Sequence, residues 1–135
     1  AMLAEMATRF RGGEFDYLSN CRTRTFPRGL GAEFITAAAL LDAAARGTEL
    51  RHREHVTPYF YENPDRYRIA DHLGSPDRSA WRWTLDTPED LAVLTHLITQ
   101  AEGEIPSYRM LSELYSAHPE WHAINSHIEQ KKVLP

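Results

Sequence analysis

The clearest boundary in the chain is the stretch Trp81-Arg82-Trp83-Thr84-Leu85-Asp86-Thr87-Pro88-Glu89-Asp90. Its first half is rich in bulky residues and predicts a strand over 81–85. In its second half, Thr87 suits the N-cap of a helix and Pro88 suits the first helical position. The two acidic residues that follow place negative charge at the positive end of the helix dipole. The stretch therefore predicts a strand followed at once by a helix.

The patterns on either side of this boundary predict further helices and strands. Predicted helices cover 3–11, 36–46, 49–63, 88–98 and 107–132, the last of them broken near His118-Pro119. Within 49–63, Pro58 either opens a new turn behind Thr57 or kinks the helix. Predicted strands cover 15–19 and 67–70 in addition to 81–85. This alternation favours an α/β layer structure with few strands.

Composition excludes several classes of protein. The 135 residues carry a net charge of -4 and one cysteine, Cys21, so an internal disulfide framework is impossible. No apolar run approaches the roughly 18 residues of a membrane span, and no secretion signal is visible, so no membrane partner is expected. The acidic balance argues against a protein that grips nucleic acid by its phosphates. The single reduced cysteine suits the cytoplasm.

Asp86 is the first candidate site residue. An aspartate between a strand and a helix N-terminus lies where open α/β sheets place their ligands. Such a carboxylate can hold Mg²⁺, which takes oxygen ligands and keeps waters and substrate phosphates in its other positions. The alternative is that Asp86 merely caps the helix together with Thr87.

A second candidate is the loop Arg22-Thr23-Arg24-Thr25-Phe26-Pro27-Arg28-Gly29-Leu30. It presents three arginines in a chain that is acidic overall. Arginine makes bidentate contacts to phosphate or carboxylate, so the loop could clamp an anionic sugar or nucleotide. The alternative is that these arginines are solvated on a surface loop.

Five blocks of the sequence together resemble a known family. They are Phe15-Asp16-Tyr17-Leu18-Ser19-Asn20, Arg24-Thr25-Phe26-Pro27-Arg28-Gly29-Leu30, Arg53-Glu54-His55-Val56-Thr57-Pro58-Tyr59, Arg82-Trp83-Thr84-Leu85-Asp86-Thr87-Pro88-Glu89-Asp90 and Ile124-Asn125-Ser126-His127-Ile128-Glu129-Gln130-Lys131. In content and order they look like blocks of the sugar cytidylyltransferases of the spore coat polysaccharide biosynthesis protein F (SpsF) type.

This resemblance implies a nucleotidyltransferase that joins an anionic or amino sugar to CMP, with CTP as donor and pyrophosphate as leaving group. It also implies a three-layer α/β/α, Rossmann-like fold, of which this chain resembles the carboxyl-terminal part, and a homodimer. The family's amino-terminal part, with its phosphate-binding loop and a first metal-binding aspartate, has no counterpart in this sequence. The chain alone is therefore expected to be inactive.

Carried over residue by residue, Asp86 resembles the family's second metal-binding aspartate, with Mg²⁺ as the implied ion. The residues that lie in, or just after, blocks resembling the sugar-side and dimer-forming region are Arg28, Glu33, Arg53, Glu54 and His55. They are expected to contact the sugar or to support its site. Gly31 stands where many relatives are expected to carry an acidic residue, so this position offers no side chain to a sugar hydroxyl.

Two hypotheses of different class follow. The first is a CMP-sugar synthetase of surface or spore coat polysaccharide biosynthesis that lacks its nucleotide-binding half. The second is a non-catalytic dimerisation or sugar-binding half-domain, truncated or completed by a partner chain, whose open sheet edge must be covered. In either case, residues 2–135 are expected to form a single domain, and Ala1 is interpreted as a tag remnant.

Overall fold

A computed structural model of the chain describes residues 2–101 and 106–129. The expectations for Ala1, for residues 130–132 of the last helix and for the end of the fifth block lie outside the described residues. The described elements, in chain order, are α1 (Met2–Arg11), β1 (Tyr17–Ser19), β2 (Glu33–Ile35), α2 (Ala37–Arg46), α3 (Leu50–Glu54), α4 (Pro58–Glu62), β3 (Ile69–Asp71), α5 (Pro88–Gln100), α6 (Tyr108–Ala117) and α7 (Pro119–Asn125). The fold is mixed α/β, as the sequence predicts.

The described chain forms two compact units. The sheet unit consists of residues 3–23 and 32–72, and the helical unit consists of Met2, residues 24–31 and the described residues from Leu73 onward. The expectation of one domain over 2–135 stays a prediction. Within the described residues, no helix has both the length and the apolar character needed to cross a bilayer.

In the sheet unit, three short strands pair in the order β2-β1-β3. The β1–β2 pair is antiparallel and sets Ser19 opposite Glu33, whereas the β1–β3 pair is parallel and sets Ser19 opposite Asp71. The aromatic and alanine side chains of its core are Tyr17, Ala39, Ala43, Tyr59, Phe60 and Tyr67. The sequence predicts β1 and β3 to within two residues at each end, but it gives no strand at β2.

Local capping chemistry fixes the helices of the sheet unit. The Thr36 hydroxyl accepts a hydrogen bond from the backbone N–H of Ala39 at 3.2 Å and starts α2, as expected. Gly13 has a φ of +76° after α1, the left-handed conformation that glycine tolerates. The predicted helix over 49–63 is divided into α3 and α4, and Pro58 opens the second of them behind Thr57.

In the helical unit, α5, α6 and α7 pack around a core of Trp83, Val93, Leu97, Tyr115 and Trp121. Thr87 is the N-cap of α5, as predicted, and accepts from the backbone N–H of Asp90 at 3.2 Å. The spacing of Leu91, Leu94, Leu97 and Ile98 predicts that they line one inward face of α5. This is partly wrong, because Leu91 and Ile98 are exposed and Val93 is buried instead. Helices α6 and α7 are separated at His118, as the sequence predicts.

The predicted strand over 81–85 is wrong. Only one residue of it, Arg82, forms a bridge, parallel to Arg28. The Arg28 N–H donates to the carbonyl of Trp81 at 2.9 Å, and the Trp83 N–H donates to the carbonyl of Arg28 at 2.8 Å. The segment that pairs with Arg82 turns away directly after Arg28, at Gly29, which has a φ of +100°. The pairing therefore stops after one residue.

Candidate functional site

Asp86 lies between Leu85 and the N-cap of α5, in the helical unit. Its side chain is 58% exposed, and its Oδ2 accepts a hydrogen bond from Nη2 of Arg82 at 2.9 Å. The capping oxygen of α5 belongs to Thr87, so Asp86 does not cap the helix. The carboxylate is therefore held on one side by an arginine and open to solvent on the other.

Behind Asp86 lies a fully buried carboxylate, that of Asp90. It forms a bidentate pair with Arg82, at 2.9 Å from Nε and 2.8 Å from Nη2. It also accepts hydrogen bonds from the Thr84 hydroxyl, the Asp86 backbone N–H and the Asn125 amide, all at 2.9–3.0 Å. The bond from Arg82 is the main reason why the pKa of Asp90 is held far below its usual range.

Asn125 ties the last turn of α7 to this network. Its Nδ2 donates to Oδ1 of Asp90 and to the backbone carbonyl of Arg82, both at 2.9 Å. Asn125 is itself fully buried. A side chain that lies 35 residues after Asp90 in the sequence therefore fixes the segment that carries Asp86.

The donors around Asp86 fit a magnesium ion only in part. Mg²⁺ in proteins is held by one or two carboxylates together with waters and substrate phosphates. Asp86 can supply one such oxygen. Among residues 2–101 and 106–129, no group of three or more His, Cys, Asp or Glu side chains is placed to hold a metal ion. The described residues thus offer one carboxylate ligand and no complete metal site.

The arginine loop divides between the two units. Arg22 belongs to the sheet unit, where its guanidinium pairs with both carboxylate oxygens of Asp71 at 3.0 and 3.1 Å. Arg24 and Arg28 belong to the helical unit, and no described residue accepts a hydrogen bond from either side chain. Arg22 is therefore not part of the predicted arginine cluster. The cluster in the helical unit consists of Arg24, Arg28 and the buried Arg82.

The local field favours an anion beside Arg28. Partial burial lowers the pKa of its guanidinium, and the like charges of Arg24 and Arg82 lower that pKa further. The main chain holds Arg28 in a tight turn, because the N–H of Leu30 donates to the carbonyl of Pro27 at 3.2 Å. A bound carboxylate or phosphate would relieve this repulsion.

Glu33 lies at the start of β2, within a cluster of hydroxyl groups in the sheet unit. The hydroxyls of Tyr17 and Tyr61 both donate to its Oε1, the second of them at 2.8 Å, and Ser19 Oγ lies 3.5 Å from the same oxygen. Burial, reinforced by the bond to Glu33, raises the pKa of Tyr17 well above its usual value. Tyr17 therefore remains a neutral hydrogen-bond donor, and the cluster fixes the orientation of the Glu33 carboxylate.

The remaining candidates lie at the end of α3. Arg53, Glu54 and His55 are all exposed. None of the three side chains forms a hydrogen bond or ion pair with another described residue. The structure thus leaves them available on the surface and does not bring them into contact with Glu33.

Sequence reasoning missed Asp90, Asn125 and the two tyrosines as parts of these clusters. Asp90 ends the fourth matching block, but by its own position it is only an acidic residue of a first helical turn, which is common in helices. Asn125 lies within the fifth matching block, and that was its only signal.

Known proteins are similar to this chain in sequence and in fold, although no protein-family profile matches the chain. The chain is 33% identical over 120 residues to the uncharacterised protein MJ1063 of Methanocaldococcus jannaschii, over 87% of this chain and 48% of that protein. It is 32% identical over 100 residues to the spore coat polysaccharide biosynthesis protein SpsF of Bacillus subtilis, over 71% of this chain and 39% of SpsF.

A solved structure extends the similarity to the fold. It is that of a cytidylyltransferase from Leptospira borgpetersenii, with a TM-score of 0.84 and 28% identity over 97% of this chain and 55% of that chain. The predicted resemblance to cytidylyltransferases is thus confirmed in sequence and in fold. The chain spans about half the length, or less, of the relatives that it matches.

Proposed function

We propose that this chain is part of a sugar cytidylyltransferase of the SpsF type, corresponding to the carboxyl-terminal portion of that fold. The complete enzyme would join CMP from CTP to an anionic or amino sugar, release pyrophosphate and serve surface polysaccharide biosynthesis. The observation that carries the proposal is the match of 97% of the chain to a cytidylyltransferase structure at a TM-score of 0.84.

The arginine loop supports a role for this portion in binding the sugar. Arg28 and Arg24 have no anionic partner among the described residues and lie beside a third cation, Arg82. A sugar carboxylate would supply the missing negative charge, and Arg28 is the residue we assign to it. An amino sugar would instead need an acidic partner, for which Glu33 is the candidate.

Glu33 also suits the recognition of sugar hydroxyls. Its Oε1 is occupied by the hydroxyls of Tyr17 and Tyr61, whereas no described donor occupies its Oε2. A carboxylate fixed on one side and free on the other can accept a hydrogen bond from a ligand hydroxyl. We assign Arg53, Glu54 and His55 to sugar contact or to a dimer interface, since all three are exposed at one helix end.

Asp86 is the residue that would hold Mg²⁺ with one carboxylate oxygen. When bound, the ion would neutralise charge at the reacting phosphate. The role of the chain itself is positional: Arg82 and the main chain hold the Asp86 carboxylate at the surface. Cys21, a free thiol, would remain reduced in the cytoplasm, which is the location we propose.

Isothermal titration of CTP with Mg²⁺ tests the nucleotide side of this proposal. Because the chain resembles only the carboxyl-terminal part of the family, we expect it to bind CTP with Mg²⁺ weakly, and we expect the Asp86→Ala variant to lose that binding. Glu113→Ala is the matched control, because Glu113 is an exposed carboxylate that also pairs with an arginine four residues away. No binding by the unaltered chain, or equal binding by Asp86→Ala, would contradict this role of Asp86.

A second candidate function is a non-catalytic dimerisation or sugar-binding module, and one observation favours it. The sheet unit exposes several large apolar side chains on α2, on α3 and just after α3, namely Leu40, Leu41, Leu50 and Val56. Such surface is typical of an interface, and a second copy of the chain is the partner we propose.

Sedimentation velocity tests the homodimer. Leu50 is 81% exposed, so Leu50→Glu should convert a dimer to a monomer without damage to the fold. Leu73→Glu is the control, since Leu73 is also exposed but lies in the helical unit. A monomeric unaltered chain would rule out the homodimer.

A further inference from the structure

We propose that Asp90 is a positioning residue for Asp86: buried behind it, Asp90 sets the orientation of the Asp86 carboxylate through Arg82 and through the main chain. This inference rests on the proposed function, in which Asp86 contacts the ligand. It concerns a residue that would touch neither the nucleotide nor the sugar.

The first line of support is the number of contacts that converge on Asp90. Five donors, from Arg82 twice, from Thr84, from the Asp86 backbone and from Asn125, all lie within 3.0 Å of its two oxygens. An acidic residue that only complements a helix dipole needs none of these side-chain partners and is normally exposed. Asp90 is instead fully buried, so its charge must be satisfied by them.

The second line of support is that two separate paths lead from Asp90 to Asp86. Along the main chain, the Asp86 N–H donates to Oδ2 of Asp90 at 3.0 Å. Through the side chains, Nη2 of Arg82 donates to Oδ2 of Asp90 at 2.8 Å and to Oδ2 of Asp86 at 2.9 Å. Both the backbone and the carboxylate of Asp86 are therefore tied to one buried group.

The third line of support is the geometry of Arg82. Its guanidinium is planar, and two of its nitrogens are engaged by Asp90 in the bidentate arrangement that fixes the plane. Asn125 fixes the same residue from behind by donating to its carbonyl oxygen at 2.9 Å. Arg82 thus has little freedom, and the oxygen of Asp86 that it holds is fixed with it.

Asp90→Asn is the most specific test of the positioning role, because it keeps the shape of the side chain and replaces one acceptor oxygen by a donor NH₂ group. Arg82, Thr84 and the Asp86 N–H all donate to one oxygen of Asp90. The side chain of the Asp90→Asn variant has only one acceptor oxygen, so it cannot accept hydrogen bonds from all the donors that surround Asp90. We expect the Asp86 segment to loosen while the helices remain folded.

Two measurements on the full chain follow the position of Asp86. The first is hydrogen exchange of the Asp86 backbone amide by NMR, compared with amides in the middle of α5. The second is the affinity for Mn²⁺, read from paramagnetic broadening of resonances around Asp86. In Asp90→Asn we expect faster exchange at Asp86 alone and Mn²⁺ affinity lower by about tenfold, as for loss of a group that orients a metal ligand.

Leu97→Ala is the matched control for a purely structural effect. Leu97 is 1% exposed on the same helix and lies outside the network, so this variant lowers stability without touching Asp86. We expect Leu97→Ala to leave the Mn²⁺ affinity unchanged and to leave the exchange rate of the Asp86 amide unchanged relative to the amides of α5. If Asp90→Asn does not fold, Thr84→Val removes a single donor to Asp90 and should shift both readouts in the same direction by less.

The outcomes separate this inference from the proposed function. If the unaltered chain binds no Mn²⁺, the proposed metal role of Asp86 fails, and amide exchange alone decides the positioning role. Faster exchange confined to Asp86 would then still support it. Unchanged exchange in the variants, or equal changes in Leu97→Ala, would overturn it.

Discussion

At the scale of single residues, Gly29 controls where Arg28 is placed. Gly29 has a φ of +100°, and a Cβ atom built on it would lie 2.2 Å from the carbonyl oxygen of Trp83. Glycine is needed at this position for two reasons: the backbone is left-handed, and two segments of the chain approach each other closely. Both follow from the bridge that ties Arg28 to Arg82.

Gly29→Ala should therefore be clearly more destabilising than Gly13→Ala. Gly13 also has a positive φ, of +76°, but an added Cβ there would meet nothing within 4 Å. The left-handed backbone alone costs an alanine about 1–2 kcal/mol, so the difference between the two variants measures the clash. Urea denaturation gives both unfolding free energies, and equal losses would contradict the close packing at Gly29.

At the scale of elements, the sequence predicts helix ends well, because their causes are local. Thr36 and Thr87 each accept a hydrogen bond from a backbone N–H three residues further on, and Pro58 occupies the first helical position of α4. Strands depend on a partner elsewhere in the chain. The β2 strand exists because Glu33–Ile35 faces β1, and residues 81–85 are not a strand because only Arg28 faces them.

The candidate site shows the same division. Asp86 could be selected from its place before a helix, which is a local property. The roles of Asp90 and Asn125 depend on contacts across 35 residues, and that of Tyr17 on contacts across 16 and 44 residues, so no local pattern indicates them. Burial of a charged residue is visible only once the fold is known.

The pairing of β1 with β3 should depend on pH through Asp16. Hydrogen bonds from the Arg68 side chain and backbone N–H lower the pKa of Asp16 below its usual value. Because the pKa is lower in the folded state, the stabilisation is complete above the unfolded value and is lost as pH falls below it. Because the Arg68 side chain is 60% exposed and solvent screens the pair, this stabilisation amounts to at most about 1 kcal/mol.

The measurement is the unfolding free energy of the unaltered chain and of Asp16→Asn between pH 7 and pH 3. The difference between them should be constant at neutral pH and shrink below about pH 4. Asp65→Asn is the control, because Asp65 forms no hydrogen bond with another described residue. A difference that grows on acidification would contradict the pairing of Asp16 with Arg68.

At the scale of the whole molecule, each of the two units holds its own set of candidate groups. The helical unit holds Arg28, Asp86 and the Asp90 network, and the sheet unit holds Glu33 and its hydroxyl partners. The chain matches 55% of a cytidylyltransferase chain and 39% of SpsF. An assay of binding is therefore a more direct test of the chain than an assay of turnover.

Binding of a CMP-linked sugar acid is the best test that this chain belongs to a sugar cytidylyltransferase, because this compound is the product of the proposed reaction. We predict that the chain binds it more tightly than CMP alone in isothermal titration. Arg28→Ala should weaken binding about tenfold or more, as for the loss of a charge-assisted hydrogen bond. Arg109→Ala, which removes an exposed arginine paired with Glu113, should leave binding unchanged. No binding of any CMP-linked sugar acid, or equal losses in the two variants, would contradict the proposed function.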